Sequence, residues 1–401
     1  MRILQICSEY PPQKVFGLGR YVSDLSRELA TQGHEVHVLT NSLGGVGKDV
    51  LDRGVQVHRV EFPPPPMPPT PAAPLLAFNV HLQQRATSLG LEGLGNPEVV
   101  VSHDWLTAIA GARIARRLDL PHVWTVHDTV HGKRFGKLEG MEDGVSHAVE
   151  LWAMREANLI LVNSTAIAEE ITRVHGADPV RVELLHPGIE PAACMSHQSE
   201  ERLAAFRSVL AQQDELLVTF TGRLDLEKGV DTLINAFALL KSRLPKARLA
   251  IAGRGVLRPT IEEHLKKLHL EREVTLCGYL EGQVLRSFYQ VSDIQVCPSH
   301  YEPFGLVALE AMAVGTPVVV SDTGGLRDIV SSTKVGRRFT PRNPGELADT
   351  LHELANSPGL RRQIGEAGRK HALQQFAWSV LARRAASLYE RQVEAKKGVA
   401  V

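Results

Sequence analysis

The stretch Glu215–Pro245, ELLVTFTGRLDLEKGVDTLINAFALLKSRLP, holds the fold in miniature. It opens with an apolar, β-branched run that stops at Gly222. A loop carrying Arg223 and Lys228 follows, and then Leu233, Ile234, Phe237 and Leu240 recur at three- and four-residue spacing until Pro245. That spacing puts four apolar side chains on one face of a helix, and the proline ends it. A strand apolar along its whole length is one buried on both faces, as in parallel sheets covered by crossover helices.

The same unit recurs outward in both directions. RILQIC, EVHVLT, VQVHRV, EVVVSH, HVWTVH and NLILVN precede it, and ARLAIAG, VTLCGY, IQVCPS and PVVVSD follow. Near the N-terminus, Val22, Leu25 and Leu29 mark a helix face in GRYVSDLSRELATQGHE, with Gly33 where a C-cap belongs. The class is α/β. With 401 residues, the chain exceeds one ordinary core and divides into two. Patterning is weakest from Gly188 to Gln198, so the expected domains are 1–190 and 191–375, followed by a helical segment, 376–401, that packs back across the junction. The proline-rich Phe62–Pro74, FPPPPMPPTPAAP, is expected to be a stiff surface loop, its prolines having no N–H to give a ladder.

Acidic and basic residues balance at 45 each, so no long-range field draws in nucleic acid or an anionic membrane. The four cysteines, Cys7, Cys194, Cys277 and Cys297, form no C-x-x-C pair, which suits a reducing compartment. No apolar run reaches the ~18 residues of a membrane span, and MRILQIC runs into Glu9 and Pro11 too soon for a signal peptide. A cytoplasmic protein is expected. His34-Glu35-Val36-His37 lacks the H-E-x-x-H spacing of a helical zinc site and begins a strand.

Ligands of open α/β sheets bind beyond the carboxyl ends of the strands. Arg223 and Lys228 stand there, and a diphosphate needs such counter-charge. In YEPFGLVALEAM, Tyr301–Met312, Pro303 keeps any helix from running through Glu302, while GLVALEAMAVG reads as a buried helix. Glu302 then stands before a helix start, whose free N–H groups and dipole suit phosphate, and Glu310 about two turns inside. The bland alternatives are a dipole-stabilising Glu302 and a hydrogen-bonded Glu310. In EYPPQKVFGLGRYV, Lys14, Gly17 and Gly19 give the first domain a comparable loop. It lacks the third glycine of the dinucleotide fingerprint, and no acid ends the second strand, which argues against an NAD-dependent oxidoreductase.

Together these residues resemble the retaining nucleotide-sugar glycosyltransferases of family 4, kin to the glycogen and starch synthases. The resemblance rests on Glu302/Glu310 (E-x7-E), Arg223/Lys228 before Gly229, SHDWLTA, WTVHD and SDTGGLRDIV, and covers almost the whole chain. It implies the GT-B arrangement, two Rossmann-like domains facing a deep cleft, with the nucleotide on the second and the acceptor on the first. It also implies that Arg223 and Lys228 bind the diphosphate, Glu310 the ribose and Glu302 the donor sugar. The amides of Phe304, Gly305 and Leu306 would meet the distal phosphate and sugar, His127 the sugar's 6-hydroxyl and the reaction centre, and Asp104 the acceptor side.

In such enzymes the departing phosphate oxygen takes the incoming hydroxyl's proton, and the protein supplies positioning and charge. The chain contains no D-x-D pair, in keeping with a diphosphate neutralised without a metal or other cofactor. The expected reaction moves a hexose, glucose first, from ADP- or UDP-glucose to a glucan or small sugar. Mannosyl transfer, a lipid-linked acceptor, a sugar-nucleotide epimerase and a non-enzymatic binder stay open. Phe16 stands where glucan synthases have a glycine, which bears on Lys14 and Gly17. Basic HGKRFGK and GARIARRL suit a membrane surface less well than solvent. No sequence feature specifies an oligomer.

Overall fold

The computed structural model describes residues 1–12, 17–42, 49–61 and 72–399. Lys14, Phe16 and most of the proline-rich segment lie outside them. Two compact units emerge, one of residues 1–188 with 378–401, the other of residues 189–377.

The first unit is built on an eight-stranded sheet among the described residues: β1 (Arg2–Ile6), β2 (Glu35–Ser42), β3 (Asp49–Asp52), β4 (Val55–Glu61), β5 (Val99–His103), β6 (His122–Val126), β7 (Leu159–Val162) and β8 (Val182–Leu184), in the order β3-β4-β2-β1-β5-β6-β7-β8. Every pairing is parallel except the β3–β4 hairpin. The second carries β9 (Leu216–Thr221), β10 (Ala247–Ala252), β11 (Val274–Gly278), β12 (Ile294–Cys297), β13 (Val318–Ser321) and β14 (Arg337–Phe339), all parallel, in the order β11-β10-β9-β12-β13-β14. Both are Rossmann-like. Each reverses its winding once, between β1 and β5 and between β9 and β12, and such switch points are where crevices open in doubly wound sheets.

The apolar runs lie where two-sided burial requires: Val99, Val100 and Val101 of β5 and Val318, Val319 and Val320 of β13 are fully enclosed. Leu233, Ile234, Phe237 and Leu240, on the helix Val230–Arg243, share one core with Val218 and Phe220 of β9. Cys7 and Cys297 are buried.

Three features depart from expectation. The hairpin strand β3 falls in DVLD, too short and too polar to register as a strand. A helix, Ala72–Gly93, begins inside the segment expected to be a loop to Pro74. Pro74 falls in the first turn, where no intrahelical bond needs its N–H. The helix after Gly305 runs Leu306–Ala313, so Glu310 is about one turn in rather than two.

The helix Trp378–Val399 belongs wholly to the first unit. Trp378, Leu381, Ala385, Leu388 and Tyr389 share a core with Ile3 of β1 and Val22 and Leu25 of the helix Gly17–Thr31. No described helix is long and apolar enough to cross a membrane. Trp105, Trp124, Trp152 and Trp378 are the chain's four tryptophans, and all lie in the first unit, so their fluorescence reports its unfolding alone. Leu388→Ala is expected to lower the denaturation midpoint seen by tryptophan fluorescence, at a cost of about 2–5 kcal/mol for an enclosed leucine.

Candidate functional site

The second unit's residues gather on the loops that leave β9, β12 and β13. Lys228 ends the loop after β9, and its Nζ donates to Glu302 Oε2 at 2.8 Å. Ser299 Oγ donates to the same oxygen at 2.9 Å. Both charged side chains are mostly enclosed, Lys228 at 17% and Glu302 at 13% exposure, so water screens the pair less than it would a surface bridge. Arg223 is more open and pairs with Asp225 and Glu227 of its own loop.

Glycines hold this geometry. Gly229 has φ of 62°, and a Cβ there would stand 2.0 Å from the Pro298 carbonyl oxygen. The loop after β9 can therefore press against that after β12, and the amides of His300 and Tyr301 donate to the Glu227 carbonyl at 2.7 and 3.2 Å. On the other side, Gly325 N–H donates to the Glu302 carbonyl at 3.0 Å. A Cβ on Gly324, φ 51°, would strike that carbonyl at 1.8 Å. SDTGGLRDIV is thus a seat for the backbone of residues 302–304.

Gly305, φ 108°, caps the helix Leu306–Ala313. The first amides of that helix have no intrahelical acceptor, and Phe304 beside them is buried. Glu310 is buried too, and Oε2 accepts the Tyr289 hydroxyl at 2.8 Å. This is the hydrogen-bonded partner that the bland alternative required.

In the first unit His127 and Asp104 come together beyond β6 and β5. The His127 amide donates to Asp104 Oδ1 at 2.8 Å. Asp104 takes the left-handed conformation, φ 54°, one that a short polar side chain tolerates. Enclosure pushes its carboxyl up to about 6, against the pull of the His127 amide. The His127 ring packs edge-on to Tyr21, with centroids 4.6 Å apart, and burial lowers its pKa to about 4.

A buried chain of polar groups lies behind it. His103 Nε2 meets Gln5 Oε1 at 2.7 Å, and His103 Nδ1 meets His127 Nε2 at 3.1 Å. With Gln5 presenting its oxygen, His103 donates from Nε2, His127 donates from Nε2, and His127 Nδ1 is left as an acceptor. Sequence reasoning assigned neither Gln5 nor His103. The available signal was a polar side chain inside an otherwise apolar strand, RILQI, and another ending VVVSH.

Gly19, expected to offer its amide to phosphate, donates it to Glu9 Oε1 at 3.1 Å. Glu9, also unassigned, was signalled only by an acid three residues after the end of β1. Gly17 starts the same helix. His37, from the discounted zinc pattern, has its Nδ1 2.9 Å from His58 Nε2, whose ring reaches Asp49 in turn.

Each unit therefore brings its candidates to the carboxyl edge of its own sheet, at or beside the switch point. Residues 15–193 match the family described as Glycosyltransferase Family 4, and residues 201–371 match Glycosyl transferases group 1. The chain is 32% identical to an uncharacterized glycosyltransferase of Methanocaldococcus jannaschii, over 98% of this chain and 99% of that one. It is 33% identical to a glycogen synthase of Mycobacterium tuberculosis, over 99% and 96%. Its fold matches that of a sucrose-phosphate synthase from Thermosynechococcus elongatus with a TM-score of 0.84 and 24% identity, covering 98% of this chain and all of that one.

The low pKa of His127 fixes a sign for acid unfolding. An unfolded histidine binds its proton near pH 6.5, the folded one only near 4, so His127 contributes stability that is present above pH 6.5 and lost as pH falls towards 4. The stability difference between wild type and His127→Gln should shift by about 3 kcal/mol across that window. Chemical denaturation at pH 7 and pH 4 measures it, and a pH-independent difference would contradict the assignment.

Proposed function

The chain belongs to glycosyltransferase family 4, in the glycogen and starch synthase line, and on that premise we propose that it is a retaining hexosyltransferase moving glucose from ADP- or UDP-glucose to a glucan or small-sugar hydroxyl. The observation that carries the proposal is the Lys228–Glu302 pair at the switch point of the second sheet, next to a helix start. A diphosphate laid along that edge meets the Lys228 ammonium, the Arg223 guanidinium and the amides around Gly305. An ammonium has three donors, and Lys228 uses one on Glu302.

Charge builds on the diphosphate as the sugar bond lengthens, and preformed donors stabilise it without reorganising at that moment. The incoming hydroxyl's proton passes to the departing phosphate oxygen, so no strong protein base is required. Arg223, Lys228 and the helix amides meet that charge in place of a metal ion. Glu302, held through Oε2, directs its other oxygen to a hydroxyl of the donor sugar, and Glu310 keeps Tyr289 while meeting the ribose. His127 stays neutral near pH 7 and accepts the sugar's 6-hydroxyl at Nδ1, with Asp104 shaping the acceptor side. The first loop contributes less, because a phosphate at the Gly19 amide must compete with the Glu9 carboxylate. The full-length likeness to a glycogen synthase supports a glucan acceptor; mannosyl transfer and lipid-linked or other small-molecule acceptors are its competitors in the same assay.

Nucleoside diphosphate release, measured with ADP-glucose and UDP-glucose and with maltooligosaccharides against small sugars, tests the proposal. Lys228→Ala and Glu302→Gln are each expected to lower kcat/KM by about a hundredfold or more, and an α-configured donor should give an α-configured product. Wild-type rates in both variants, inverted product, or interconversion of donor sugars with no acceptor would each overturn it.

Glu310→Gln should raise the donor KM more than it lowers kcat, since a ribose contact far from the reacting carbon binds ground and transition states alike. A pure kcat effect would remove Glu310 from that role.

A further inference from the structure

A second cluster lies in the first unit, past the end of β6. His131 is on the short helix Val130–Lys133, Glu170 on the helix Thr165–Arg173, and His175 two residues beyond that helix. One ligand atom from each falls within 4.8 Å of the others. His131 Nδ1 is 3.1 Å from Glu170 Oε1, and His175 Nε2 is 3.5 Å from the same oxygen. Side-chain exposure falls from 27% at His131 to 16% at Glu170 and 3% at His175.

The His175 nitrogen is the informative atom. Nε2 is buried and stops 3.5 Å from the Glu170 carboxylate oxygen it faces, at the outer limit of a hydrogen bond. A histidinium bonded to that carboxylate would close to about 2.7–2.9 Å. Two ligand atoms sharing one tetrahedral ion, with bonds of about 2.0–2.1 Å, stand about 3.3–3.4 Å apart. The separations at Glu170 bracket that value.

The surroundings also suit an ion. Thr129 Oγ donates to Glu170 Oε1 at 2.5 Å and caps the helix carrying His131, the kind of outer partner that fixes a ligating carboxylate. The His147 ring stands edge-on to His175, with centroids 5.0 Å apart. Its Nδ1 is turned to Glu150, 3.6 Å away.

We propose that His131, Glu170 and His175 bind one zinc-class divalent ion, with solvent in the fourth position. Two imidazoles and one carboxylate suit Zn²⁺, and Co²⁺ or Ni²⁺ in its place, better than the all-oxygen preference of Mg²⁺ or Ca²⁺. The ion ties the turn after His127 to the far helix. It lies outside the transfer step proposed above and does not depend on it.

The test uses the full chain, treated with chelator, desalted and titrated with Co²⁺ and then Zn²⁺. One equivalent of Co²⁺ should saturate with the visible absorption of a four-coordinate ion, Zn²⁺ should displace it, and X-ray absorption should find nitrogen and oxygen ligands without sulfur. Glu170→Gln, which keeps the Thr129 contact, and His175→Asn should each abolish the stoichiometric phase, with unchanged tryptophan fluorescence showing that they fold. Failure of either ion to bind at one equivalent, binding that both variants retain, or sulfur in the first shell would overturn the proposal.

Discussion

The second unit depends on close approach of backbone to backbone at one sheet edge. Gly229 against the Pro298 carbonyl, and Gly324 and Gly325 against residues 302–304, draw the loops after β9, β12 and β13 together. Only then can a lysine from one loop reach a glutamate from another at hydrogen-bond distance. Without those glycines the charges would stand in separate loops, each solvated and worth little. The charge pair at this edge is thus set in place by residues that have no side chain to contribute.

The first unit solves a different problem. Its edge groups are enclosed, so burial decides their protonation: His127 is held neutral while Asp104 is pushed towards its own neutral form. The chain Gln5–His103–His127 passes a fixed orientation from the middle of the sheet to its end. A neutral imidazole with a defined accepting nitrogen is the form that reads a hydroxyl.

Much of this was legible in the sequence because parallel strands and their helices leave strong periodic signals. The apolar runs, the cations after Gly222 and the acids around Pro303 are local facts that spacing displays. What sequence reasoning missed depended on contacts across the fold. Glu9 and His103 matter through partners ten and twenty-four residues away, and no pattern in either neighbourhood names the partner. The short strands β3, β8 and β14, DVLD, VEL and RRF, each carry charged residues, so no apolar run marks them as one marks the equally short β7, β12 and β13. The helix starting at Ala72 was hidden by the proline that its first turn tolerates.

The helix Trp378–Val399 gives the chain an unusual order of assembly. It supplies one wall of the first unit's core, yet the ribosome makes it after every strand of both sheets. The whole of the second unit, residues 189–377, can emerge and consolidate while the first still exposes the apolar groove around Val22 and Leu25. Domains commonly mature in the order of synthesis. Here the half begun first must be finished last, and until then its open groove is a surface for chaperones to shield.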